Sequence, residues 1–136
     1  MKLSDFEGTW RLARDIRDHR GGAAGRFEGR AVFTACAPGL AYHEEGLLRI
    51  GGGPPLTAVR DYLWREAAGR IFVDHAGGKP FHDFDPAQAE ARHHCAPDLY
   101  KVRYDFADWP VWRAEWVVTG PRKDYVMVSE YVRSAR

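Results

Sequence analysis

Apolar and polar residues alternate along almost the whole chain, and this pattern limits the fold more than any other feature. In the segment 9–17, one face carries apolar residues and a single arginine, while the other carries polar or small residues. Such a period of two is typical of an antiparallel strand with one face in water. No segment keeps a 3.6-residue repeat over three turns. The pattern therefore predicts an all-β protein.

Glycine- and proline-rich turns divide the alternating pattern into about nine short strands. The predicted strands are Thr9–Arg17, Arg26–Ala35, Leu40–Ile50, Leu56–Glu66, Ile71–Val73, Phe81–Phe84, His93–Phe106, Val111–Thr119 and Asp124–Arg133. Pro97 predicts an irregularity in the seventh strand, because proline cannot donate to a ladder. Ser4 and Glu7 have the spacing of a capping box, which predicts one short helical turn before the first strand.

The number of strands predicts a closed sheet. An up-and-down meander of this length must close or protect its edges, and closure is the simpler solution. We therefore expect residues 1–136 to form one domain, a single antiparallel up-and-down barrel. A barrel of eight to ten strands encloses just enough space for side chains or for one small ligand.

Charge and composition exclude several classes of partner. The chain has 20 basic and 19 acidic residues, a net charge of +1, so no basic field favours nucleic acid. No apolar run approaches the roughly 20 residues of a membrane helix, and no signal segment is evident. We expect a cytoplasmic protein without nucleic-acid or membrane partners, and a homodimer stays open. Cys36 and Cys95 could form one disulfide, but we expect two separate buried thiols.

The beginning of the first strand carries a known barrel signature. The segment Phe6–Trp10, FEGTW, resembles the Gly-x-Trp motif of lipocalins and their calycin relatives. In those barrels the tryptophan closes one end, and an arginine from the last strand packs across it. The resemblance implies these roles for Trp10 and Arg133. It makes a calycin-like barrel the expected architecture.

The chain from Phe6 to Arg133 more closely resembles an uncharacterised bacterial family, domain-of-unknown-function family 6314. The positions that carry this resemblance are Phe6, Gly8, Trp10, Tyr42, Glu44, Gly46, Arg60, Tyr62, Trp64, Pro80, Phe81, His82, His94, Cys95, Asp98, Tyr100, Gly120, Pro121 and Lys123. The resemblance implies a fold and a set of positions, but no activity.

Strand parity places charged residues on the faces that carry the large aromatic residues. The aromatic residues expected to point inward are Trp10, Phe27, Tyr42, Tyr62, Tyr104, Trp116 and Tyr131. Arg14, Glu44 and Arg60 share their faces, and an inward charge is costly unless it is paired or hydrated. Two interpretations stay open. One is a pocket for a small organic molecule with an anionic or hydrogen-bonding group. The other is a filled barrel with internal ion pairs, such as Glu44 with Arg60.

The pocket interpretation assigns a role to each candidate residue. Arg14 and Arg60 would neutralise the ligand, and His82, His94, Glu44 and Asp98 would supply hydrogen bonds. The aromatic walls would be Tyr42, Tyr62, Trp64 and Tyr100. Lys123 lies in the basic turn 120–123, which is either an anion site at the rim or a plain turn.

The stretch from Pro80 to Tyr104 concentrates the residues that could carry chemistry. Histidine titrates near neutral pH, so the alternative function is a cofactor-free isomerase, lyase or hydrolase. His82 or His94 would be its general acid–base, tuned by Glu44 or Asp98; purely structural histidines are equally consistent. Neighbouring side chains on a strand diverge, which argues against a zinc site or a thiolate triad at Cys95. We expect no metal and no cofactor.

Overall fold

The computed structural model describes residues 1–88, the backbone of residues 90–95, and residues 97–134. In this part of the chain, a short 3-10 helix, Leu3–Phe6, precedes ten strands. The strands are β1 (Gly8–Asp18), β2 (Ala24–Cys36), β3 (Gly39–Ile50), β4 (Leu56–Ala67), β5 (Arg70–His75), β6 (Pro80–Phe84), β7 (Glu90–Cys95), β8 (Asp98–Asp105), β9 (Trp112–Thr119) and β10 (Asp124–Arg133). The predicted all-β class is confirmed.

The strands form one antiparallel sheet that curls around a lumen. Strands β1 to β6 pair in chain order, as do β7 to β10, and β1 also pairs with β10. In the described part of the chain no ladder joins β6 to β7, the two ends of this sheet. Aromatic rings of β6 instead pack on rings of β8 and β9: Phe84 stacks on Tyr104 at 4.2 Å, and Phe81 lies 5.3 Å from Trp116. The predicted antiparallel up-and-down arrangement is therefore confirmed, as a curled sheet with one seam that no ladder of the described residues closes.

The predicted seventh strand, His93–Phe106, is wrong, because the structure divides this segment into β7 and β8. Cys95 pairs with Asp98, so the chain reverses between them. Proline has no N–H for a ladder and its fixed φ suits a turn, which explains why Pro97 ends a strand rather than distorting one. In β8, which is the second half of the predicted strand, Tyr104 points inward as expected, since it is buried.

The first helical turn is capped two residues earlier than predicted, by Lys2 instead of Ser4. The backbone N–H of Lys2 donates to Asp5 Oδ2 at 2.8 Å, so the cap does not use the predicted pair of Ser4 and Glu7. The 3-10 helix places Phe6, which is fully buried, under one end of the barrel. There the Phe6 ring lies 5.3 Å from that of Trp112.

Trp10 and Arg133 close this end of the barrel as the resemblance implied. The indole Nε1 of Trp10 donates to the Phe6 carbonyl at 2.9 Å. The guanidinium of Arg133 lies 4.0 Å above the Trp10 ring and donates to the carbonyls of Glu7 and Asp5 at 2.7 and 2.8 Å. A cation over an indole face is a favourable arrangement, so this cluster joins the last strand to the first.

Two glycines allow β2 and β3 to approach each other closely. Gly29 and Gly46 are register partners. A Cβ atom on Gly46 would lie 2.7 Å from the Gly29 Cα and would also clash with the Glu28 carbonyl oxygen. Neither position can hold a side chain without moving backbone, and glycine in a strand often marks such a crowded bend. The lumen face of β2 therefore carries no side chain at Gly29.

Cys36 does not have the buried position that we expected. It is the last residue of β2, its thiol is free, and its side chain is exposed. The chain turns directly after it, which removes the neighbours that a strand interior would supply. The expectation of a buried thiol is wrong for Cys36, and the side chain of Cys95 lies outside the described residues.

Candidate functional site

A small cavity lies in the middle of the lumen. Its walls come from alternate residues of eight strands: Arg14, Tyr42, Glu44, Arg60, Tyr62, Trp64, Val73, His82, Tyr104, Trp112, Ala114, Trp116 and Tyr131. The space open to the centres of water-sized spheres is about 30 Å³. A single water needs about 10–15 Å³ by this measure. The cavity therefore has room for one small functional group or a water or two, but not for a whole organic ligand.

A buried ion pair forms one wall of the cavity. Arg14 Nη1 and Nη2 donate to the two carboxylate oxygens of Glu44 at 2.7 and 2.9 Å, and Arg14 Nε donates to Ser129 Oγ at 2.7 Å. Arg14 is 5% exposed and Glu44 is 2% exposed. Buried charges are tolerated when they are paired and hydrogen-bonded, and this bidentate geometry satisfies both partners.

The two partners meet across β2, which lies between their strands. Arg14 is opposite Phe27, and Glu44 is opposite Ala31. The residue of β2 between these two register positions on the same face is Gly29. Because Gly29 and Ala31 are small, the long side chains of Arg14 and Glu44 can meet above the strand.

Two tyrosines extend the ion pair into a chain of hydrogen bonds. Tyr42 Oη donates to Glu44 Oε1 at 2.6 Å, and the hydroxyls of Tyr42 and Tyr131 are 2.9 Å apart. Tyr42 has one proton and Glu44 can only accept, so Tyr131 must donate to Tyr42. Burial raises the pKa of Tyr42, and it raises the pKa of Tyr131 to about 12. Both phenols therefore stay neutral near physiological pH.

The ion pair stays charged in the neutral range and carries no net charge. Burial by itself raises the pKa of Glu44, but the hydrogen bonds and charge of Arg14 outweigh it and hold the pKa below its ordinary value. Burial likewise opposes the charge of Arg14, but the bond to Glu44 raises its pKa above the ordinary range. Arg14 therefore brings no uncompensated positive charge to the cavity.

Arg60 is not the partner of Glu44, although the two are opposite each other in the β3–β4 register. Its side chain is exposed at the mouth of the cavity, while Arg14 reaches Glu44 from the interior. Within the described residues, no carboxylate forms an ion pair with Arg60. Burial raises the pKa of the neighbouring Tyr62, and the charge of Arg60 partly opposes this rise.

His82 and Tyr104 form a second buried pair beside the cavity. His82 Nε2 and the Tyr104 hydroxyl are 2.8 Å apart, and both side chains are buried. The ring of Trp116 lies edge-on to His82 at 5.2 Å. Burial raises the pKa of Tyr104 well above its usual value, so the phenol stays protonated.

Two indole N–H groups of the lumen are buried without an acceptor among the described residues. They belong to Trp64 and Trp112, which both line the cavity. The two rings lie 6.3 Å apart. Trp10, by contrast, donates to a backbone carbonyl. A buried donor without an acceptor costs free energy, so these two groups need an acceptor that the described residues do not supply.

Three of the predicted site residues form a separate cluster near the rim. Lys123 Nζ lies 3.0 Å from Asp98 Oδ2 and donates to the Tyr100 hydroxyl at 3.1 Å. The bond to Asp98 raises the pKa of Lys123. None of the three lines the central cavity, and Asp98 is already the ionic partner of Lys123. Whether the turn holds an anion stays a prediction.

The side chain of His94 lies outside the described residues. Only its backbone is described: His94 lies in β7, opposite Leu99 of β8. Among the described side chains, no group of three or more His, Cys, Asp or Glu residues could hold a metal ion. The side chains of His93 and Cys95 are likewise not covered. The absence of a metal site in this stretch therefore stays a prediction.

The open end of the barrel forms a vestibule that sequence analysis missed. Its volume is about 200 Å³, and its lining is Ile16, Asp18, Ala23, Gly25, Ile50, Arg60, Tyr125 and Met127. Arg60 belongs to both the vestibule and the central cavity. Strand parity would have assigned Ile16 and Met127 to the lumen, but it could not show that this end stays open.

Comparison with solved structures identifies a protein of similar fold. The chain is similar to an S-type phycobiliprotein lyase from Guillardia theta, with a TM-score of 0.66 and 9% sequence identity. The match covers 100% of this chain and 94% of the lyase. At this identity the likeness concerns the fold alone.

Within the described residues no helix has the length and hydropathy needed to cross a membrane.

Comparisons of sequence identify the family. None of the curated proteins matches the chain. The sequence profile of one family matches residues 6–133, nearly the whole chain. This protein therefore belongs to the family of unknown function DUF6314.

Proposed function

We propose that the barrel binds a small organic molecule, with one functional group in the central cavity and the rest in the mouth and vestibule. The observation that carries this proposal is the enclosed cavity, which joins polar groups to aromatic walls and meets a wider apolar vestibule at Arg60. Ligand sites are typically apolar concavities with a few well-placed polar groups. The similarity in fold to a phycobiliprotein lyase is compatible with such a site.

Arg60 favours a ligand with an anionic group. Arg14 is neutralised by Glu44, and Lys123 is bound to Asp98. Arg60, in contrast, is exposed where the cavity and the vestibule meet. A guanidinium binds carboxylate or phosphate through paired hydrogen bonds. The negative group of the ligand would therefore lie at the mouth rather than in the interior.

Calorimetric titration with 4-acetylbenzoate and with its methyl ester tests the role of Arg60. The wild type should bind the acid more tightly than the ester. Arg60→Gln should weaken binding of the acid by about tenfold, since a hydrogen bond to a charged group contributes roughly 1.5–3 kcal/mol. Binding of the ester should change little.

The matched control is Arg49→Gln. Arg49 is also an exposed arginine near the tip of the β3–β4 hairpin, but it lies on the outer face of β3. This variant should bind the acid as the wild type does. Equal losses of affinity for the acid in both variants would show that Arg60 acts only through the general charge of the surface. If the wild type binds neither probe, the proposal of a ligand site is overturned.

The pair of His82 and Tyr104 favours a second candidate, a cofactor-free enzyme that moves a proton. Histidine titrates near neutral pH, and the neutral phenol of Tyr104 holds the ring in place at 2.8 Å. In D₂O, His82 would remove a methyl proton of 4-acetylbenzoate and return a deuteron. NMR would measure the loss of the methyl signal.

General acid–base groups typically contribute 100-fold or more to a rate, so His82→Gln should lower any catalysed exchange by about that factor. His43→Gln is the control, because His43 is exposed on the outer face of β3, where it binds Asp61. Exchange no faster than in buffer, or unchanged in His82→Gln, would exclude this candidate and leave the binding proposal intact.

A further inference from the structure

The unsatisfied donors of the cavity indicate which chemical group enters it. Trp64 is 5% exposed and Trp112 is fully buried, and both line the cavity. Each indole has a single N–H and no capacity to accept. No described residue accepts from either group. A group that enters the cavity should therefore be a hydrogen-bond acceptor.

Electrostatics of the walls disfavour a charged acceptor. The ion pair of Arg14 and Glu44 is neutral as a whole, and Arg14 already directs its guanidinium to Glu44 and Ser129. An anion deep in the cavity would meet the Glu44 carboxylate and would lose its hydration, whereas the exposed guanidinium of Arg60 lies at the mouth. The tyrosines of the wall stay protonated and neutral. An uncharged acceptor avoids this cost.

Volume restricts the acceptor further. About 30 Å³ admits a group of the size of one or two waters. A carbonyl oxygen satisfies these conditions, since it is small, uncharged and has two lone pairs. A phosphate or a sugar ring does not fit this space.

We propose that the cavity recognises a carbonyl group, as in a ketone or amide, through the indole N–H groups of Trp64 and Trp112. This inference rests on the proposed function. Trp64 and Arg60 are four residues apart on β4, which corresponds to about 13 Å between their Cα atoms. The long side chain of Arg60 covers part of this distance. The ligand class is therefore a compact molecule with a carbonyl at one end and an anionic group at the other.

Two aromatic acids of nearly equal shape test this inference. In 4-isopropenylbenzoate a CH₂ group replaces the ketone oxygen of 4-acetylbenzoate. The wild type should bind the ketone at least tenfold more tightly, because a site built to donate hydrogen bonds rejects an analogue without the acceptor. Trp64→Phe, which keeps a ring but removes the N–H, should lose most of this preference.

Nitrogen-15 NMR of the indole groups gives an independent readout. The chain has five tryptophans, so five indole resonances can be assigned with single Trp→Phe variants. Addition of 4-acetylbenzoate should move the resonances of Trp64 and Trp112 downfield. That of Trp10, whose N–H is bound to the Phe6 carbonyl, should not move.

The outcomes separate this inference from the proposed function. Equal affinity for the ketone and the alkene, with unchanged Trp64 and Trp112 resonances, overturns carbonyl recognition while the ligand site stands. Failure of both acids to bind the wild type overturns the ligand site itself.

Discussion

Glu44→Gln is expected to lower the free energy of unfolding by about 3–5 kcal/mol, the usual cost of leaving one buried charge without its partner. The substitution keeps the shape of the side chain but removes the charge that compensates Arg14, which is 5% exposed. It also weakens the acceptor for the Tyr42 hydroxyl, now 2.6 Å away. Urea denaturation followed by tryptophan fluorescence would measure the change.

Asp15→Asn is the matched control for this prediction. Asp15 forms an ion pair of similar length with Arg26, at 2.8 Å, but the two side chains are 65% and 46% exposed. Surface pairs contribute roughly 0–1 kcal/mol, so this variant should lose little stability. A loss below about 1 kcal/mol in Glu44→Gln would contradict the importance of burial. The pair would then act as a hydrated surface pair does.

The dependence of stability on pH adds a second measurement to the same comparison. The folded pKa of Glu44 is lower than its ordinary value of 4.5. The stability that this carboxylate contributes is therefore fully present above pH 4.5 and is lost as the pH falls through the lower folded value. The wild type should lose this contribution in acid, whereas Glu44→Gln should lack it at every pH.

Trp10→Ala should cost a similar amount, about 3–5 kcal/mol, as is typical for removal of a buried tryptophan. Trp10 is fully buried. Its loss removes a hydrogen bond to the Phe6 carbonyl and the surface on which Arg133 stacks. The 3-10 helix would lose its attachment to β1, so the closed end of the barrel should loosen. Denaturation and hydrogen exchange of the β1 and β10 amides would measure both effects.

The control for Trp10 is the same substitution at Trp116. Trp116 is half-buried at the mouth of the cavity, next to Phe81 and His82. Its loss should destabilise the fold less, because water already reaches part of the indole. Equal losses at the two sites would indicate that the closed end has no special role and that each tryptophan contributes only by its size.

Strand parity predicted the lumen well because the period of two is a local property. Arg14, Glu44 and Tyr42 were assigned to the inner face from their spacing alone, and all three are buried there. The same rule could not identify the partner of Glu44. Arg60 is its register neighbour, but Arg14 reaches it from two strands away, and that contact depends on how strongly the sheet curls.

The predictions around Pro97 show a second limit of sequence analysis. A proline in an alternating segment is consistent with an irregular strand or with a hairpin, because both lack the same ladder hydrogen bond. The observed hairpin creates β7 as an edge strand and leaves a seam next to β6. Whether His94 faces the lumen stays a prediction, since its side chain is outside the described residues.

The absence of a side chain at Gly29 serves both the backbone and the interior of the barrel. It lets β2 lie against Gly46, and it leaves the passage through which Arg14 and Glu44 meet. The backbone of β3 excludes a side chain at this position, since a Cβ atom on Gly29 would lie 2.6 Å from the Gly46 Cα. Protein engineering of the lumen should therefore keep glycine at position 29, because even a methyl group there would force β2 and β3 apart.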